Sequence, residues 1–156
     1  MQFIRLVVSL ALPFLAGMIG SLFTMPSILT WYAGLHKPFF NPPNWIFGPV
    51  WTILYVMMGI AVFLIWEKRR AQTKTVDLAL GLFALQLLLN TSWSIVFFGW
   101  HQIGLGLVNI VLLWLAILLC IIRFYPISRL AAWLLGPYIV WVSFAAVLNF
   151  AIMVLN

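Results

Sequence analysis

Five runs of apolar residues, each about as long as a bilayer is thick, take up most of this 156-residue chain. They fall at Leu6–Thr24, Trp45–Trp66, Val76–Phe98, Ile103–Ile122 and Leu130–Leu155, bounded by charged, proline or glycine residues. An α-helix needs about 20 apolar residues, at 1.5 Å of rise each, to cross about 30 Å of hydrocarbon. Unpaired backbone amides are prohibitive in lipid, so a spanning run is either a helix or part of a closed barrel. Continuous apolarity, without alternation of period two, excludes the barrel. The expected fold is an all-α membrane protein, a single five-helix domain over residues 1–156. Pro13 and Pro137 are expected to kink their helices, their freed carbonyls being satisfied by neighbours.

Charge agrees with this reading. Only 6% of the residues are charged and 66% are hydrophobic, whereas a soluble domain carries about a quarter charged. Glu67 and Asp77 are the only acidic residues. The net charge of +6 does not point to nucleic acid, because the eight basic residues form no stripe and lie between the apolar runs. Arg5, Lys68, Arg69, Arg70, Lys74, Arg123 and Arg129 fall on one side of the bilayer, and only Lys37 on the other. Seven against one places the N-terminus in the cytoplasm and the first loop opposite, if the membrane is that of a prokaryotic cell. The first run resembles a signal peptide, but its length and the lack of a clear A-x-A site favour a retained helix. The lone Cys120 excludes an intramolecular disulfide.

The first loop, about Met25–Asn44, is the only long connection, and it mixes Pro26, Pro38, Pro42 and Pro43 with aromatic residues. Proline stiffens it, and Trp31, Tyr32, Phe39 and Phe40 need surfaces to pack on. It is expected either to fold as a lid over the mouth of the bundle or to lie beside it as an interfacial anchor. Of nine tryptophans, Trp31, Trp45, Trp66, Trp100 and Trp133 sit at span ends, as headgroup-level tryptophans do. Trp51, Trp93, Trp114 and Trp141 do not. At 1.5 Å per residue, Trp51 and Trp93 lie roughly 9 Å below the first-loop surface and Trp141 near mid-bilayer. Asn90 shares a helical face with Ser94 and Phe97, and Asn149 with Ala145 and Leu148. Amides facing lipid are costly, so Asn90, Asn109 and Asn149 face inward, either as helix-to-helix hydrogen bonds or as the lining of a cavity. Deep indoles beside amides and the small Ala145 and Ala146 describe either a filled core or a slot for a flat, mostly apolar ligand.

Several chemistries lack candidates. No ionisable side chain sits in mid-span, which disfavours proton-coupled transport. No phosphate loop, H-E-x-x-H, C-x-x-C or nucleophile with its base is present. His36 and His101, both in loops on one side, are weak candidates for haem ligation, so no metal site is assigned. Lys37 either contacts a ligand carboxylate or is simply solvated.

The stretch Trp31-Tyr32-x-x-Leu35-x-Lys37-Pro38-x-Phe40-x-Pro42-Pro43-x-Trp45-x-Phe47-x-Pro49-x-Trp51-Thr52-x-Leu54-Tyr55 resembles the signature of the tryptophan-rich sensory protein and translocator protein family. Asn90-Thr91-x-Trp93-Ser94-x-x-Phe97-Phe98-Gly99 and Pro137-Tyr138-x-x-Trp141-x-x-Phe144-Ala145-x-x-Leu148-Asn149 extend the likeness over most of the chain. The resemblance implies a five-helix protein, often a homodimer, whose first loop caps a pocket for protoporphyrin IX, haem and synthetic flat ligands. It implies no required cofactor, with the porphyrin or haem as ligand. Carried over by motif, Trp51, Asn90, Trp93, Trp141, Ala145 and Asn149 would line the pocket. Trp31, Tyr32, Lys37, Pro42 and Pro43 would form the lid.

Three functions of different class follow. The first is a receptor or carrier for tetrapyrroles. The second is an enzyme-like, light- and oxygen-dependent porphyrin degradation using Trp51 and Trp141, and the third a structural membrane protein without ligand. The cholesterol-recognition pattern of the mitochondrial relatives is missing, since Leu148–Asn156 holds neither Tyr nor a basic residue. The small pairs Ala16/Gly20 and Gly17/Ser21, with Gly81, fit either a dimer contact or packing within the bundle.

Overall fold

The structure, a computed structural model, describes residues 2–156. Those residues form helices and connecting turns without strands, and five spans are long and apolar enough to cross a bilayer. Helices α1 (Gln2–Ile28), α2 (Asn44–Glu67), α3 (Thr73–Ser94) and α4 (Ile103–Phe124) supply four of them. The fifth is divided between α5 (Arg129–Leu134) and α6 (Gly136–Leu155). The chain is an integral, multi-pass membrane protein. Its outward face is predominantly apolar, with leucine, valine or isoleucine exposed along every span, an inversion of the soluble pattern that only lipid satisfies.

The boundaries differ from the expected ones for local reasons. Helix α1 runs through Pro26 to Ile28, because a proline in the last turn removes one ladder bond and leaves the rest. The fifth span breaks because Pro137 has no N–H for the carbonyl of Trp133, and Leu135 closes α5 with a tighter bond to the carbonyl of Ala132. Ser128 caps α5 by accepting from the backbone N–H of Ala131. The third span ends in a π-helical turn, Ile95–Gly99, in which Trp100 N donates to Ile95 O at 2.8 Å. This wider turn leaves Phe97 and Phe98, adjacent in sequence, both buried. The hydroxyl of Ser27 donates to Phe98 O at 2.7 Å, so the irregular turn keeps its carbonyl paired.

Helix α3 is the hub of the polar contacts. Thr91 donates to Ala16 O of α1 at 3.1 Å, and Asn109 of α4 donates to Ser92 at 2.7 Å. Buried Asn90 donates to the Tyr138 hydroxyl at 3.0 Å, which donates in turn to Gln86 at 2.8 Å. Asn149 of α6 donates to Ile103 O at 3.0 Å and accepts from Trp93 Nε1 at 3.2 Å. Trp114 binds Ser143 and so acts as a link between α4 and α6. At the basic side, Arg5 pairs with Glu67 at 3.0 Å and lies 5.8 Å from the Trp66 ring, joining the start of α1 to the end of α2.

Helices α1 and α2 approach closely at two glycines. A Cβ at Gly59 would lie 2.9 Å from Leu10 Cα and 3.0 Å from Ser9 O, and one at Gly17 only 2.3 Å from the Tyr55 ring. Backbone atoms cannot swing aside as a side chain can. Gly59→Ala is therefore expected to destabilise the bundle by about 1–3 kcal/mol, seen as a lower midpoint in detergent thermal unfolding followed by circular dichroism. Gly81→Ala, whose methyl meets nothing within 4 Å, should not lower it.

Candidate functional site

Above Gly17 the first two helices part, and a cavity of about 490 Å³ lies between them and the floor formed by α3 and α6. The volume falls within the range of about 300–1,000 Å³ usual for small-molecule sites. Trp51 of α2, Trp93 of α3 and Trp141 of α6 all line it, so three indoles distant in sequence converge on one space. Asn90, Ala145 and Asn149 join them. None of the described lining residues is charged.

The rings are held by other rings. Trp51 stacks on Tyr55 with centroids 5.5 Å apart and meets Tyr138 edge-on at 6.2 Å. Trp93 stacks on Phe97 at 5.2 Å, and Trp141 has Phe47 at its edge at 5.9 Å. Pairs of this kind each contribute about 0.5–1.5 kcal/mol beyond area burial. The amide of Asn90 is fixed by Tyr138, with the Tyr55 hydroxyl 3.5 Å from its oxygen. Asn149 is fixed by Trp93 and the Ile103 carbonyl. Trp141 Nε1 is buried with no hydrogen-bond partner among the described residues.

The first loop covers the top of this space with its first half. Tyr32, in a single 3₁₀ turn (Tyr32–Gly34), is 4% exposed, lines the cavity and packs on Phe97 and Phe98. Its hydroxyl donates to Asn41 at 2.7 Å, and burial pushes the group from 10.0 up to about 12, so it stays a donor at neutral pH. Trp31 stacks on His101 at 4.4 Å and meets Phe97 edge-on, outside the cavity. Lys37 folds back onto the carbonyls of Tyr32, Ala33 and Leu35 at 2.7, 3.2 and 3.0 Å. Lys37 thus braces the loop and does not line the cavity. Asn156 both donates to His36 O and accepts from His36 N, pinning the loop to the end of α6. Pro42 accepts from Asn41, and Pro43 stands at the N-cap of α2. Neither histidine lines the cavity. Phe39 packs on nothing but Phe40 and is 100% exposed, so the tip of the loop projects as an anchor does while its first half is docked.

Sequence reasoning missed the contribution of α1. Phe14, Gly17, Ser21 and Thr24 line the cavity, although Gly17/Ser21 had the pattern of a helix-contact pair. Ala16 and Gly20 are used within the bundle as well, under Thr91 and Ser94. Trp45 lines the mouth in addition to sitting at the headgroup level. Gln86, Tyr55 and Tyr138 escaped notice as one hydrogen-bonded group, since the tyrosines stood only as motif positions and Gln86 carried no marker at all. Asn109 binds Ser92 and does not reach the cavity. Tyr138→Phe should leave Gln86 Oε1 and Asn90 Nδ2 unpaired and cost about 1–3 kcal/mol, read as a lower unfolding midpoint.

Residues 9–155 match the TspO/MBR family. The chain is 46% identical over 156 residues to the tryptophan-rich protein TspO of Archaeoglobus fulgidus, covering 100% of this chain and 99% of the relative. It is 41% identical over 140 residues to the translocator protein of Homo sapiens, covering 90% and 83% of the two chains. To the tryptophan-rich sensory protein of Cereibacter sphaeroides it is 37% identical, over 81% and 77%.

Proposed function

The chain belongs to the TspO/MBR family, and from that premise we propose that it is a membrane receptor or carrier for porphyrins such as protoporphyrin IX and haem. It would serve the regulation or movement of tetrapyrroles. The observation that carries this reading is the convergence of Trp51, Trp93 and Trp141 on one uncharged cavity. Indole faces attract planar π-systems, and an uncharged wall favours the apolar macrocycle over its carboxylates. The few polar points, Asn90 and Asn149, are of the number that orients a ligand. Relatives named as translocator and sensory proteins fit a role in transport or sensing. The excess of basic residues at the end of α2 and the start of α5 supports a cytoplasmic N-terminus and a first loop on the other side of a prokaryotic cell membrane.

Titration of the protein in detergent with protoporphyrin IX should quench tryptophan fluorescence saturably. The double variant Trp51→Phe, Trp141→Phe should bind about tenfold more weakly, given the worth of stacked aromatic pairs. Trp133→Phe, an exposed ring outside the cavity, should bind as the parent does. Unaltered affinity in the double variant would contradict the site.

A further inference from the structure

The walls of the cavity differ sharply in exposure, and the difference follows the helices. The lining residues of α3, its π turn and α6 are mostly buried, Asn90, Phe97, Phe98, Ala145, Leu148 and Asn149 among them. Those of α1 and α2 nearest the first loop are open. Met18 is 63% exposed, Met25 71% and Trp45 73%, and Gly48 and Thr52 are exposed too. Along α1, Met18, Ser21 and Met25 recur at i, i+3 and i+7; along α2, Trp45, Gly48 and Thr52 do the same. Each set therefore lies on a single helical face. At 1.5 Å per residue, each stripe runs about 10 Å along its helix. The two stripes form the sides of an opening that faces the hydrocarbon.

We propose that the cavity exchanges its ligand sideways with the bilayer, through a portal between the Met18/Ser21/Met25 stripe of α1 and the Trp45/Gly48/Thr52 stripe of α2. The inference rests on the binding site proposed above and names where its ligand comes from: a planar molecule already partitioned into the leaflet on the first-loop side. Three features carry it. The top is braced shut by buried Tyr32, by Lys37 on three carbonyls and by the Asn156–His36 pair. The hydroxyls of the portal are turned back on their own helices, Ser21 to Met18 O at 2.7 Å and Thr52 to Gly48 O at 2.9 Å. An apolar ligand passing them strips no hydrogen bond. The stripes are also yielding, since methionine is unbranched and flexible and a Cβ at Gly48 would meet nothing within 4 Å.

A change confined to the path alters association and dissociation together, whereas a change in the bound contacts alters their ratio. The test uses the full chain in phosphatidylcholine vesicles, with protoporphyrin IX dimethyl ester as a neutral, membrane-partitioned probe and stopped-flow tryptophan quenching as the readout. Gly48→Phe should slow both rates by about tenfold, and Met18→Ala with Met25→Ala should speed both; because these residues also rim the cavity, the readout is that the two rates move in the same direction, not that affinity is unchanged. Asn156→Ala, which unpins the loop without touching the cavity, should leave both rates unchanged. Should Gly48→Phe fail to fold, the widened portal still decides. Rates that ignore both portal variants and rise in Asn156→Ala would overturn the lateral route in favour of passage under the loop. Absence of saturable quenching in the parent protein would overturn the binding site itself, and the portal with it.

Discussion

In a bilayer, water no longer drives apolar surfaces together, so helices cohere through close packing and through hydrogen bonds that have no other partner. The segment of α3 from Gln86 to Trp93 supplies most of those bonds. It reaches α1 through Thr91, α4 through Ser92, and α6 through Asn90 and Trp93. Gln86 closes the chain by accepting from Tyr138. Remove this segment and the other helices share few polar contacts at mid-depth. The cavity lies against the same segment, so the groups that hold the bundle together also form its floor.

That arrangement explains how a space of this size persists in a small bundle. At Gly59 the first two helices meet almost backbone to backbone; at the level of Gly17 the Tyr55 ring, packed edge-on against Phe14, stands between them. The indoles are each propped by a neighbouring ring, so collapse would cost aromatic pairs already made. The π turn contributes by leaving Phe97 and Phe98 both buried, where Trp31 and Tyr32 pack on them. Order in the loop thus begins with an irregularity at the end of α3, and that irregularity is tolerated because Ser27 pairs its carbonyl.

The five spans were legible in the sequence because hydrocarbon thickness dictates run length, and each observed span overlaps its expected run. Ends were harder to read. Pro26 looked like a stop for α1, yet one lost ladder bond did not end it; Pro137, where a kink was expected, divides the last span into two helices. Nothing in Ile95–Gly99, an apolar stretch, marks a π turn. Asn90, Trp93 and Asn149 stood out because a polar or very large side chain at depth needs a partner. Gly17, Ser21 and Thr24 did not, since small residues at helical spacing serve tight packing and a cavity wall equally well, and only coordinates separate the two. Phe39 and Tyr32, close in one loop, were alike in sequence and opposite in burial. The difference comes from what each meets in three dimensions.

The central claim is that a flat macrocycle lies against the indoles of Trp51, Trp93 and Trp141. Fluorine NMR of protein labelled with 5-fluorotryptophan tests it ring by ring, because the ring current of a porphyrin acts over short distances and the chain has nine tryptophans to report. On saturation with protoporphyrin IX, the resonances of Trp51, Trp93 and Trp141 should move strongly while those of Trp66, Trp114 and Trp133 stay in place. Shifts confined to Trp66, Trp114 and Trp133, or no shift in the three cavity rings, would contradict the account.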